Sequence, residues 1–196
     1  MSRLPLVQNE PIQSRSQELL AGVQKKLGLV PNLTRVLANS PAALEGYLAF
    51  SGALATGTLS AAVREQLALV VGETHGCGYC LSAHTAIGKK VGLKEDAILD
   101  ARRGRSKDLK TNALLVLART IALKRGELTD ADLRAARDAG VTDAEIVEVV
   151  GAVALNVYTN WLNHVAATPI DFPEVQPGVP AADIHAAGCA AGACGA

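Results

Sequence analysis

Apolar residues recur along this chain at intervals of three and four, the period of a helix buried on one face. In residues 15–27, RSQELLAGVQKKL, Leu19, Leu20, Val23 and Leu27 keep that spacing and Gly28 supplies a stop. A second, short helix is predicted in NLTRVLANS, after Pro31 and halted before Pro41. A third starts at Pro41 with Leu44, Tyr47, Leu48 and Leu54 inward and breaks at Gly57. Ser60 is placed to cap a fourth, which Leu67, Val70 and Val71 bury and which should unwind around Gly72 to Gly76. A fifth begins near Gly76. KEDAILDARRG, with Ala97, Ile98 and Ala101 inward, and the broad apolar face of Thr111–Lys124 continue the series. Thr129 and Thr142 are expected as N-caps of LRAARDAG and of a long closing helix over 143–166.

No segment shows the alternation and turn spacing of a sheet, so the fold is expected to be all-α, a bundle of eight or nine helices. A loose echo between 94–122 and 130–164, a short helix followed by a long apolar one, would be explained by a duplicated helical hairpin. Residues 1–13 carry Pro5 and Pro11 without a sustained period and read as an extended arm of a single domain over 1–168. From Pro169 four prolines fall within twelve residues and the chain closes in DIHAAGCAAGACGA. Residues 169–196 therefore read as a Pro-rich, low-complexity tail, unable to build a core alone.

Composition narrows the function. Lysine plus arginine and aspartate plus glutamate both number 19, so net charge is zero and neither nucleic acid nor an anionic membrane is the expected partner. The opening MSRLPLVQNEP lacks the apolar run of a signal peptide, and IVEVVGAVALNVY at 146–158 holds Glu148 and is short for a bilayer span, so a cytoplasmic protein is expected. Hydrophobic residues make up 49% of the chain, more apolar helix face than one small domain hides, which points to a homo-oligomer. Four cysteines in a reducing compartment favour reactive or metal-binding use over a static disulfide framework.

The chemistry concentrates in Glu65 to Gly92, EQLALVVGETHGCGYCLSAHTAIGKKVG. A helix starting near Gly76 puts Cys77, Cys80 and His84 at i, i+3 and i+7, one stripe of its surface. Close dithiols cycle between thiol and disulfide, and a helix N-terminus with a neighbouring base favours the reactive thiolate. Helix electrostatics alone select Cys77 as the more acidic sulfur. The same residues, with His75, are also plausible zinc ligands, and His164, His185, Cys189 and Cys194 could complete such a set. Cys189 and Cys194 could otherwise act as a thiol arm that reduces the CxxC disulfide, or be incidental tail thiols. Glu65, twelve residues before Cys77, reads by helix position as a surface charge paired with Arg64 or Arg103. Trp161 and His164 lie on the closing helix.

Glu65 preceded by Arg64, CGYC at 77–80, the pair ending at His84 and the Gly-Leu pair at 92 and 93 resemble the carboxymuconolactone decarboxylase superfamily. Within it the pattern is similar to the AhpD-like alkylhydroperoxidase branch, whose signature is a Glu, eleven residues, CxxC, three residues and a His. The stretch NVYTNWLNHVAATPIDFP resembles the closing helix and Pro-rich exit of the peroxidase-related members, and the likeness covers roughly residues 30 to 175.

The resemblance implies an AhpD-like helical fold and a cofactor-free, metal-free thiol peroxidase, acting on alkyl or hydrogen peroxide and reduced by a dithiol protein or small thiol. It implies that Cys80 meets the peroxide, Cys77 resolves the sulfenic acid, His84 is the base and Glu65 orients it or relays its proton. Tyr79 stands where relatives carry His or Tyr; it can donate a hydrogen bond at neutral pH but is a poor base. Trimers or hexamers are implied too. The competing expectations are a zinc-binding or redox-sensing helical module and a decarboxylase of the superfamily's other kind.

Overall fold

The computed structural model describes residues 2–179, apart from Asn9 and Ile12. Among them are nine helices and no strand: α1 Arg15–Leu27, α2 Asn32–Leu37, α3 Pro41–Leu54, α4 Ala61–Thr74, α5 Gly78–Lys90, α6 Glu95–Arg102, α7 Leu109–Lys124, α8 Asp130–Asp138 and α9 Asp143–Ala166. Short polar side chains start them. Ser14, Ser40, Ser60 and Asp108 each accept from a first-turn amide, and Thr129 and Thr142 form reciprocal capping boxes with Asp132 and Glu145. The all-α expectation and the span of the closing helix hold.

The ends of α3 and α4 fall where the sequence reading puts them, and the start of α5 differs from it. α3 stops at Leu54, ahead of Gly57; the loop that follows is held by Glu148, which accepts from the amides of Thr58 and Leu59 at 2.8 and 3.0 Å. α4 ends at Thr74, within the Gly72 to Gly76 stretch expected to unwind; Gly72 itself is still helical and faces α5, where a Cβ would lie 3.5 Å from Leu81 Cδ2 and 3.7 Å from Cys80 Cβ. The turn into α5 is made by Gly76, at φ 63°, so the helix begins at Gly78 and Cys77 stands outside it as the N-cap.

α4 is the central helix, packed against α5, α6, α7 and α9. Its residues Gln66–Gly72 are buried without a break, and Leu67, Leu69 and Val70 join Leu81, Ile98, Leu114, Leu115, Val149 and Val153 in the main core. Each fully buried Leu or Val there contributes roughly 1.5–3 kcal/mol relative to exposure. Leu20, Val30, Leu37 and Leu44 form a second cluster among α1, α2 and α3. On α9 the residues Val147, Val150, Tyr158, Trp161 and Val165 are exposed along one stripe of the helix. No helix among the described residues is long and apolar enough to cross a membrane.

Residues 169–179 carry no helix yet pack against the domain. Ile170 and Phe172 lie against Cys77, Tyr79, Cys80 and Ala83. The Val175 amide donates to Ser82 Oγ at 2.9 Å, Arg102 donates to the Gln176 carbonyl at 2.7 Å, and the Val179 amide donates to Glu73 Oε1 at 2.8 Å. Arg102 and Glu73 are themselves a largely buried ion pair at 2.8 Å. A Pro-rich segment with no core of its own is thus laid as a strap across the start of α5.

Candidate active site

Glu65 faces outward from the second turn of α4 and His84 from the second turn of α5, and the close packing of these two helices brings them together. His84 Nδ1 lies 2.7 Å from Glu65 Oε2, both side chains being mostly buried. Burial alone would disfavour the imidazolium; the charge and hydrogen bond of Glu65 outweigh it, Cys77 adds to them, and the His84 pKa is raised. Neither Arg64 nor Arg103 takes Glu65: Arg64 donates to the Leu59 carbonyl and Arg103 pairs with Asp100.

The sulfurs of Cys77 and Cys80 are 2.8 Å apart, as unbonded thiols, and 1% and 3% of the two residues is exposed. They share a proton unequally. Cys77 accepts the Cys80 S–H, is penalised by burial, accepts the Cys80 amide at 3.4 Å and feels the imidazoles of His164 and His84; its pKa falls to about 7. Cys80 has its proton committed to Cys77, is buried, and faces the Cys77 charge, so its pKa is raised. Cys77 is therefore the sulfur that ionises first, with Cys80 as its hydrogen-bond donor. That charge placement agrees with the helix-electrostatic reading of the sequence.

The third wall is α9, and its asparagines were not singled out in the sequence. Asn163 Nδ2 donates to Cys80 Sγ at 3.2 Å, and Asn160 stands beside it; both are buried, at 5% and 0% exposure. Asn160 Oδ1 lies 3.1 Å from His75 Nδ1, while His164 Nε2 donates to the His75 carbonyl at 3.0 Å. His75 and His164 therefore tie the α4–α5 turn to α9. Their sequence signal was a polar stripe, Asn156, Asn160 and Asn163, at spacing four and three on an otherwise apolar helix. Tyr47 of α3, read only as an apolar-face residue, is also at the site: burial and the charges of Cys80 and Glu65 push its pKa to about 12, keeping it protonated.

Tyr79 is placed otherwise than a relay requires. Its hydroxyl accepts from the Leu33 amide at 3.0 Å and its ring meets Phe172 edge-on at 5.9 Å, so it fastens α2 and the strap to α5. Burial raises its pKa further. No three of His, Cys, Asp and Glu converge as a metal site among the described residues. Two thiolates on one zinc at ~2.3 Å each sit well over 3 Å apart in tetrahedral geometry, and Cys77 and Cys80 are closer than that. His185, Cys189 and Cys194 lie outside the described residues.

The carboxymuconolactone decarboxylase family pattern matches residues 41–107, which hold Glu65, Cys77, Cys80 and His84. No curated protein matches the chain. Among solved structures, an uncharacterised peroxidase-related protein with an alkylhydroperoxidase AhpD core from Ralstonia eutropha JMP134 superposes with a TM-score of 0.78 at 23% identity, over 87% of this chain and 92% of that one. A peroxidase-related protein from Silicibacter sp. TM1040 gives 0.75 at 25%, over 85% and 89%. The debrominase Bmp8, in a cysteine-to-alanine variant bound to 2,3,4-tribromopyrrole, gives 0.71 at 16%, over 87% and 94%.

The electrostatics predict a shift in thiol acidity. Alkylation of the reduced protein by iodoacetamide should titrate near the Cys77 value of about 7, and His84→Gln should move that midpoint upward toward the free-thiol value of ~8.5. Glu65→Gln should move it the same way by less. Because the folded His84 pKa is raised, the His84–Glu65 pair adds stability that is complete below the free-histidine value of ~6.5 and fades as pH rises through the folded one. An unchanged alkylation profile in His84→Gln would show that the imidazole does not act on the thiols.

Proposed function

We propose that this chain, a member of the carboxymuconolactone decarboxylase superfamily with an AhpD-like fold, is a thiol-dependent hydroperoxidase that cycles through a Cys77–Cys80 disulfide. The observation that carries the reading is a CxxC pair with its sulfurs 2.8 Å apart, beside a His84–Glu65 couple at 2.7 Å.

The cycle follows from that arrangement. The Cys77 thiolate takes the Cys80 proton along the sulfur–sulfur contact, and Cys80 attacks the terminal oxygen of the hydroperoxide. An S–O bond forms, the O–O bond breaks, and the alkoxide leaves with the proton now on Cys77. Cys77, again a thiolate, attacks the Cys80 sulfenic acid, and the departing hydroxide takes the His84 proton as water. Two thiols and one peroxide thus give a disulfide, an alcohol and water, and an external dithiol restores the pair. Glu65 holds His84 charged until that last transfer. Lactone decarboxylation, the activity in the family's name, would leave the dithiol without a task.

Peroxide consumption with a panel of dithiol donors tests the reading. The intact protein should turn over hydroperoxide, Cys80→Ser should not, and His84→Gln should be slower by ~10²-fold with its fold intact, the usual scale for loss of a positioned acid or base. Glu65→Gln should be affected less. Turnover that survives in Cys80→Ser, or is missing from the intact protein with every donor, would end it.

Self-association belongs to the same reading, through the exposed α9 stripe of Val147, Val150, Tyr158, Trp161 and Val165. A stripe this long on a helix that also walls the active site is suited to a second copy of the chain. Light scattering should give a trimer or hexamer that Trp161→Glu reduces in size; a stable monomer at micromolar concentration would remove this element.

A further inference from the structure

The α9 face of the site holds two carboxamides with unused hydrogen-bonding atoms. Asn160 Nδ2 and Asn163 Oδ1 are both buried short of a hydrogen bond, the Asn160 NH₂ facing the Cys80 sulfur closely enough to favour its thiolate. A buried donor and a buried acceptor left unpaired are each destabilising, and groups of this kind are retained where something else pairs with them. Their orientations are fixed by the atoms that are paired. The oxygen of Asn160 is held at His75 Nδ1, which leaves its NH₂ as the open end, and the NH₂ of Asn163 is spent on Cys80 Sγ, which leaves its oxygen open. A free donor and a free acceptor therefore flank the reactive sulfur.

A hydroperoxide is complementary to that pair. It carries one O–H to donate, on the oxygen that Cys80 attacks, and a second oxygen that accumulates negative charge as the O–O bond breaks. We propose that Asn160 and Asn163 are the hydroperoxide subsite: Asn163 Oδ1 accepts the peroxide O–H and so aims its oxygen at Cys80, and Asn160 Nδ2 donates to the departing alkoxide oxygen. This rests on the hydroperoxidase reading above. The sulfur loses an electron pair to the new S–O bond, and the pair from the broken O–O bond resides on the oxygen facing Asn160 until the Cys77 proton reaches it. A preset donor at a developing oxyanion is the arrangement that oxyanion holes use, and removing one such donor costs ~10²–10³-fold in rate. His75 acts as a positioning residue, since it decides which end of the Asn160 amide faces the thiols.

The test compares leaving groups. Asn160→Leu keeps side-chain volume and removes the donor; Asn160→Ala is the companion variant should leucine disturb the packing. With tert-butyl hydroperoxide, whose alkoxide is strongly basic, single-turnover oxidation should slow by ~10²-fold, and with peracetic acid, whose carboxylate leaves without help, by less than ~10-fold. Reduction of the preformed Cys77–Cys80 disulfide by dithiothreitol should keep its wild-type rate. Equal slowing with both oxidants, or a matching loss in disulfide reduction, would mark Asn160 as structural and overturn the proposal. An unchanged rate with tert-butyl hydroperoxide would overturn it as well. Both results leave wild-type peroxide turnover in place, whereas a wild-type protein inert toward both oxidants removes the hydroperoxidase reading and this subsite with it.

Discussion

The packing of α5 on α4 is the constraint from which the site follows. The two helices are joined by a turn that needs Gly76 in the left-handed region, and they approach closely because Gly72 presents no side chain to Leu81 and Cys80. That approach sets Glu65 within 2.7 Å of His84 and leaves Cys77 as the cap of the helix that carries Cys80. At Gly76 any side chain would strain the left-handed turn, and at Gly72 a methyl fits in ordinary contact while anything larger meets Leu81 and Cys80 and would press α5 away from α4.

Burial shapes the thiols in two opposed ways. It opposes charge on both sulfurs, yet by excluding water it strengthens the fields of the groups that favour charge on one of them. Cys77 collects the cap amide, the Cys80 S–H and two imidazoles; Cys80 collects the carboxamide of Asn163 and the repulsion of Cys77. The strap of residues 169–179 completes the enclosure with Ile170 and Phe172. It is itself pinned by Ser82, Arg102 and Glu73, so the covering of the site depends on polar contacts to α4, α5 and α6.

Much of this was legible in the sequence, because the residues that start helices and the residues that do chemistry are both local patterns. Ser60, Thr129 and Thr142 announced their helices, and the Cys77, Cys80 and His84 spacing announced a shared stripe, whereas Glu65 entered only through the family resemblance. What stayed hidden depends on tertiary approach. Asn160 and Asn163 look like weak spots of an apolar helix until α9 is laid against the thiols. Tyr79 sits inside the CxxC, but helical rotation turns its hydroxyl to the Leu33 amide and away from proton transfer.

The order of events at the two sulfurs is where the account is most exposed. The more acidic thiol is Cys77, yet the proposed cycle makes it the base and resolving group and sends the peroxide to Cys80, beside the α9 carboxamides. Trapping with a dimedone-type probe during exposure to hydroperoxide decides between the sulfurs. Cys77→Ser, deprived of its resolving thiol, should be labelled at Cys80. Labelling of Cys77 in Cys80→Ser, with no label on Cys80 in Cys77→Ser, would reverse the roles and contradict the account.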